Sequence, residues 1–331
     1  MIWVIFLLSA IIIVLSGIKL AQYGDAIAYH TGLGGVLIGA LLVAAATSLT
    51  EILTMINSIR QNHLNLAAGN LFGASMINML ILGVLGVAFH RTRILRRVAL
   101  NHALTASLVV LLLGLAALFI LADIGFTLGF VSGDGLILII VYIGGVWLLR
   151  RNSEALPPGE EMPVTTESKL PSLRRSLIGF AIITVILVIV TPLLVRSAST
   201  IAETTGLGDS FTGILLVSLV TSLPEMVTTV TASRVGAYDL AVSNLFGSSM
   251  FNGFTLGLAD LIYVRGNFLT AIDPNLAIAG LLAMVLTTLA LIGNLTKVEQ
   301  RVAFIDLDAL ILILIYLGGL WLLYTRGIGL G

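Results

Sequence analysis

Two glutamates, Glu51 and Glu225, stand in otherwise apolar stretches, and each follows a threonine and a serine at the same offsets: Thr47 and Ser48 before the first, Thr221 and Ser222 before the second. On a helix, offsets of four and three residues put hydroxyls and carboxylate on one face. Asn78 and Asn252 come 27 residues after their glutamates, and each can offer an amide oxygen. Ser248 lies one turn before Asn252 on the same face, whereas Ala74 takes that place before Asn78. All of these are hard oxygen donors. Calcium takes about six to eight oxygens in flexible geometry, whereas magnesium demands a tight octahedron. The chain has no cysteine and no histidine beside either glutamate, so zinc and copper are poor fits. Calcium and sodium suit oxygen-only chemistry. Two carboxylates carry a charge that one Ca²⁺, or two Na⁺, or two protons would neutralise in turn. Such mutually exclusive occupancy is the physical basis of exchange.

The elements that hold these groups must lie in a membrane. Of 331 residues, 58% are hydrophobic and 10% charged, against roughly 25% charged in soluble proteins. Hydropathy predicts ten helices, near 1–22, 34–60, 64–89, 99–122, 134–150, 176–196, 208–234, 240–264, 273–293 and 304–325. The runs are continuous and lack the alternation of barrel strands. Residues 1–16 lack a basic leader and a cleavage site, and are read as a retained first helix.

Shifting the chain by 174 residues lays Thr47-Ser48-Leu49-Thr50-Glu51 on Thr221-Ser222-Leu223-Pro224-Glu225. The same shift lays Asn70-Leu71-Phe72-Gly73 on Asn244-Leu245-Phe246-Gly247, and Tyr142-Ile143-Gly144-Gly145 on Tyr316-Leu317-Gly318-Gly319. This is a duplication. The reading divides the chain into a first five-helix repeat (1–150), a cytoplasmic linker (151–175) and a second repeat (176–331). Five is odd, so the second repeat enters the membrane inverted, a design in which the substrate site lies near the midplane where the repeats meet. Of the 17 lysines and arginines, all but Arg60, Arg196, Arg265 and Arg326 fall on one side of the ten-helix plan. The positive-inside rule makes that side cytoplasmic, with both termini outside, and the cell membrane is the expected location. The linker is too short to fold alone.

A charged residue at a helix centre in a membrane costs about 2.5–3.5 kcal/mol on insertion scales. No lysine or arginine falls between Lys19 and Arg60, or between Arg196 and Arg234, so no cationic neighbour in these helices offsets Glu51 or Glu225. A bound cation or a proton remains. Pro224 deletes one helical hydrogen bond and is expected to free the Val220 carbonyl. Thr50 keeps its N–H in the first half, so the second helix should be less broken than the seventh.

These motifs resemble the calcium/cation antiporter superfamily, specifically prokaryotic sodium/calcium exchanger-like proteins. Each half of that family carries a G-T-S-L-P-E-L-like signature followed by G-N-x-x-G-S-N-x-x-N. Residues 46–52 and 220–226 are similar to the first, and 69–78 and 243–252 to the second. The resemblance implies an all-α alternating-access antiporter of ten helices in two inverted repeats, whose partners are Ca²⁺, Na⁺ and the lipid bilayer, with H⁺ the alternative coupling ion. By resemblance the ion ligands are Glu51, Glu225, Thr47, Ser48, Thr221, Ser222, Ser248, Asn78 and Asn252, with the backbone carbonyls of Ala44 and Ser218. Ala74 departs from the family serine, so one sodium position facing the first repeat is expected to be either weakened or rebuilt with Ser75. Asn252, where potassium-dependent relatives carry aspartate, implies that potassium is not co-transported. The proton-coupled branch is similar to G-N-A-x-E-L in helices 3 and 8, and neither half has that glutamate. Sodium coupling is therefore expected, with a proton-coupled exchanger of calcium or another divalent cation as the alternative.

Other features read more plainly. Gly69, Gly73, Gly83, Gly247 and Gly257 are expected to let helices approach closely. His30, His63, His90 and His102 read as interfacial. No metalloprotease motif or nucleophile elbow appears, so enzymatic chemistry is not expected. The sequence implies no resident cofactor, no nucleic-acid partner and no required protein partner.

Overall fold

Apolar runs in a bilayer must satisfy their own backbone hydrogen bonds, which makes helix the default. The computed structural model describes residues 1–31, 44–89, 99–123, 127–128, 131–155, 171–234, 236–295, 301–302 and 305–328. Within them the helices are α1 (Ile2–Thr31), α2 (Leu49–Arg60), α3 (Leu64–Ala88), α4 (Ala99–Ala122), α5 (Gly133–Ala155), α6 (Leu173–Thr205), α7 (Asp209–Thr221), α8 (Leu223–Arg234), α9 (Tyr238–Ile262), the short α10 (Phe268–Ala271), α11 (Leu276–Leu295) and α12 (Leu307–Leu323). Seven of the described helices are long and apolar enough to cross a membrane, or eight if α7 and α8, bent by 44°, form one span. Helix α9 is a continuous helix of 25 residues that carries the polar side chains of its motif. The predicted start of the second helix, 34–43, lies outside the described residues, as does most of the 151–175 linker. Helix takes up both ends of that linker, since α5 runs to Ala155 and α6 starts at Leu173. Helices α1 and α6 also outrun their predicted ends.

The duplication reappears in three dimensions. Helices α2 and α8 begin and end 174 residues apart, and so do α3 and α9. The tight turns between them reach left-handed backbone at matching places, Asn62 (φ 63°) and Gly236 (φ 83°). Two small antiparallel ribbons, which the all-helical reading did not foresee, also correspond: Thr127 pairs with Ser132 in one, and Arg301 with Asp306 in the other.

The outer surface is greasy. Leu7, Ile11 and Leu15 on α1 and Ile182, Val185 and Ile189 on α6 are exposed apolar residues, as lipid-facing positions require. The interior holds Glu51, Glu225, Asn78 and Asn252, all with no exposed surface. Helix α1 packs along α6, α4 packs against α11, and α3 contacts α2, α7, α8, α9 and α11. Glycines permit the α3–α7 approach. A methyl group on Gly69 would come 2.5 Å from the Ser210 carbonyl, and one on Gly73 would overlap Ile214. Gly213 opposite them would meet the Leu66 carbonyl at 2.6 Å. There α7 loosens into a π-helical turn, Gly213–Val217, a feature frequent at functional sites.

Candidate cation site

Both glutamates sit just past a break in their helices. Turns at Ser48 (φ −72°, ψ 2°) and Ser222 (φ −88°, ψ 0°) interrupt the helix at repeat-equivalent positions. Retaining the Thr50 N–H does not prevent the turn at Ser48, and the start of that helix, 34–43, lies outside the described residues. The two breaks face α1 together. Gly17 lies against the Pro224 ring, which a methyl group there would overlap, and Thr50 Cγ2 is 3.7 Å from the same point.

The Ala44 and Ser218 carbonyls are engaged within their own helices. Ala44 O accepts from Ser48 N at 2.9 Å and from Thr47 Oγ1 at 3.0 Å. Ser218 O accepts from Ser222 N at 2.9 Å and from Thr221 Oγ1 at 3.3 Å. To meet a cation, each carbonyl would give up its threonine hydroxyl. Thr47 also lies against Glu225 and Thr221 against Glu51, so each repeat reaches across to the other's glutamate.

The asparagines form a reciprocal pair. Asn78 Nδ2 donates to Ser249 Oγ at 3.1 Å, and Asn252 Nδ2 donates to Ser75 Oγ at 3.4 Å. Each amide is thereby oriented by a serine of the opposite repeat, which leaves its oxygen unused. Asn78 Oδ1 and Asn252 Oδ1 have no hydrogen-bond partner among the described residues.

The carboxylates are each tethered by one oxygen. Glu225 Oε1 accepts from Ser48 Oγ (3.4 Å) and Ser248 Oγ (3.3 Å), and these two hydroxyls lie 2.8 Å apart. Glu51 Oε2 accepts from Thr50 Oγ1 at 2.8 Å. Glu51 Oε1, Glu225 Oε2 and Ser222 Oγ are buried without a partner among the described residues. Ser222 lacks one for a simple reason: Ala74 stands where Ser248 meets Ser48 in the other half. Ser75 does not replace the missing hydroxyl, because it donates to Leu71 O (3.1 Å) and receives Asn252. Of the two outcomes expected at this position, rebuilding by the Ser75 hydroxyl is not what these hydrogen bonds favour.

Buried polar atoms left unpaired cost roughly 1–3 kcal/mol each, more when charged. Five unpartnered oxygens, from Glu51, Glu225, Asn78, Asn252 and Ser222, fall on four helix segments that pack together and on the turn before one of them. Neither carboxylate has a lysine or arginine partner among the described residues. Unpartnered oxygens around two carboxylates form an environment that a desolvated cation would complete.

Sequence reasoning missed several members of this network. Asn70 Oδ1 accepts from Thr221 Oγ1 (2.9 Å), and Asn244 Nδ2 donates to Thr229 Oγ1 (3.0 Å) and Glu225 O (3.4 Å). Both asparagines were legible as a repeated polar position, and so was the Ser75/Ser249 pair. His102, expected at an interface, is instead buried beside Ser243 and Asp239. His63 joins Asp209 at 2.7 Å, linking the start of α3 to the start of α7.

Comparison with known proteins supplies independent weight. The chain is 26% identical over 335 residues to the putative antiporter CaxA of Alkalimonas amylolytica, covering 97% of this chain and 98% of that one. Its fold matches the sodium-calcium exchanger NCX_Mj with a TM-score of 0.63 at 22% identity, covering 97% of this chain and 99% of that one. It matches the H⁺/Ca²⁺ exchanger CAX with a TM-score of 0.67 at 15% identity, covering 99% and 89%. The family model described as sodium/calcium exchanger protein matches residues 1–150 and 175–325. The chain therefore belongs to the sodium/calcium exchanger family, as a membrane-embedded antiporter of the calcium/cation superfamily.

Proposed function

We propose that this antiporter exchanges Ca²⁺ for Na⁺ by alternating access, with Glu51 and Glu225 as the shared cation-binding carboxylates. The observation that carries the reading is the set of buried oxygens that lack a hydrogen-bond partner among the described residues, centred on two carboxylates without a cationic partner. Thr47, Ser48, Thr221, Ser222, Ser248, Asn78 and Asn252 complete the oxygen set. The Ala44 and Ser218 carbonyls join once their threonine hydroxyls turn away. Ten crossings in two inverted repeats, joined by the cytoplasmic linker, place this set near the membrane midplane with both termini outside the cell membrane.

Sodium rather than proton coupling is favoured by α3 and α9. Aligned on Asn70 and Asn244, the glutamate expected of a proton-coupled branch would fall at Gly73 and Gly247. Gly73 is packed against the Ile214 backbone, which leaves no room there for a carboxylate side chain, and a methyl group on Gly247 would meet Ala44 Cβ at 3.1 Å. Uptake of radiolabelled calcium into vesicles loaded with sodium tests the assignment. Accumulation should collapse when the sodium gradient is removed. Accumulation driven by a pH gradient alone would transfer the protein to the proton-coupled class.

A further inference from the structure

The two glutamates are held in the same manner by hydroxyls that come from different places. On Glu225 the tether is Ser248, from α9, assisted by Ser48. On Glu51 the equivalent serine is missing, since position 74 is alanine. The tether there is Thr50, from the residue next to the glutamate and at the place where the second repeat has Pro224. Proline has no hydroxyl and alanine has none, so each repeat keeps one tethering position and forgoes the other. The result is equal: one carboxylate oxygen is engaged and the other, Glu51 Oε1 or Glu225 Oε2, is left for a ligand.

We propose that Thr50 is a positioning residue for cation binding, a relocated substitute for the hydroxyl absent at Ala74. The inference rests on the reading of Glu51 and Glu225 as cation-binding carboxylates. Thr50 Oγ1 carries one proton and faces three acceptors: Glu51 Oε2 at 2.8 Å, Thr47 O at 3.1 Å and Thr221 O at 3.2 Å. The shortest fixes the Glu51 side chain. The last belongs to the opposite repeat, so the same hydroxyl that aims Glu51 also reaches the break in the partner helix. Thr50 is completely buried, so bulk solvent does not reach these contacts.

Calcium binding to the purified full-length protein, measured by equilibrium dialysis with radiolabelled calcium, tests the proposal alongside calcium KM and kcat in proteoliposomes. Thr50→Val removes the hydroxyl at nearly constant shape and should weaken calcium binding and raise KM by about tenfold, the weight of one hydrogen bond to a charged group. Thr50→Ser should stay within about twofold of wild type, because the donor remains. Ala74→Ser added to Thr50→Val should recover most of the loss, since it recreates on Glu51 and Ser222 the geometry that Ser248 has on Glu225 and Ser48. Unchanged affinity in Thr50→Val, equal damage from Thr50→Ser, or no rescue by Ala74→Ser would each overturn it. Should Thr50→Val fail to fold, Thr50→Ala with and without Ala74→Ser is read by the same criteria. Failure of the underlying reading looks different: wild type would bind no calcium and match Glu51→Gln and Glu225→Gln, and the proposal would fall with it.

Discussion

Replacing Glu225 with glutamine separates the charge of this side chain from its shape. The amide carbonyl can take the place of Oε1 and still accept from Ser48 and Ser248, at 3.4 and 3.3 Å in the native protein. The amide nitrogen then occupies the place of Oε2, which has no partner among the described residues. The fold is therefore expected to survive, while the atom offered to a cation changes from acceptor to donor. Two unit charges about 4 Å apart interact by about 4 kcal/mol at an effective dielectric of about 20. On that scale a monovalent ion loses about 4 kcal/mol and a divalent ion about 8 kcal/mol when the carboxylate is neutralised. The difference of about 4 kcal/mol is close to a thousandfold shift in preference from calcium towards sodium. Reconstituted Glu225→Gln protein should show no calcium uptake at concentrations that saturate wild type, and its relative affinity for sodium should rise. Thermal unfolding in detergent, measured on the same preparation, should stay near the wild-type midpoint. Calcium KM within tenfold of wild type, in a protein that unfolds normally, would refute the assignment of Glu225 as a cation ligand.

Further outcomes follow from neighbouring geometry. Ser75→Ala and Ser249→Ala each remove the acceptor that orients an asparagine amide of the other repeat, and each should raise calcium KM by several-fold without altering protein yield. Gly73→Ala should lower the thermal midpoint, since overpacking costs typically about 1–3 kcal/mol. Gly144→Ala and Gly318→Ala, where an added methyl group meets nothing within 4 Å, should leave the midpoint unchanged. The chain has no cysteine, so single-cysteine labelling in intact cells reads orientation directly. Val264→Cys, at a position 90% exposed after α9, should react with an impermeant maleimide added outside, and Glu160→Cys in the linker should not; the reverse pattern would invert the proposed topology.

The sequence determined which residues matter, because chemistry and periodicity are both written in one dimension. A glutamate in an apolar helix is costly enough to demand a reason, and its recurrence at a fixed shift with the same hydroxyls identified both halves of the site. Helix ends repeat at that same shift in the structure, since local propensity and turn residues were duplicated with the rest. What each polar atom touches was decided only by the tertiary structure. The crossed Asn–Ser pairs, the contact of Thr50 with the Thr221 carbonyl, and the meeting of Ser48 with Ser248 all join residues more than 170 positions apart. No spacing rule reaches across the interface of the two repeats, where packing alone sets distance. The departures at Thr50 and Ala74 were visible in the sequence as separate oddities. Their relation, one supplying to Glu51 the hydroxyl that the other withholds, became visible once the chain was folded.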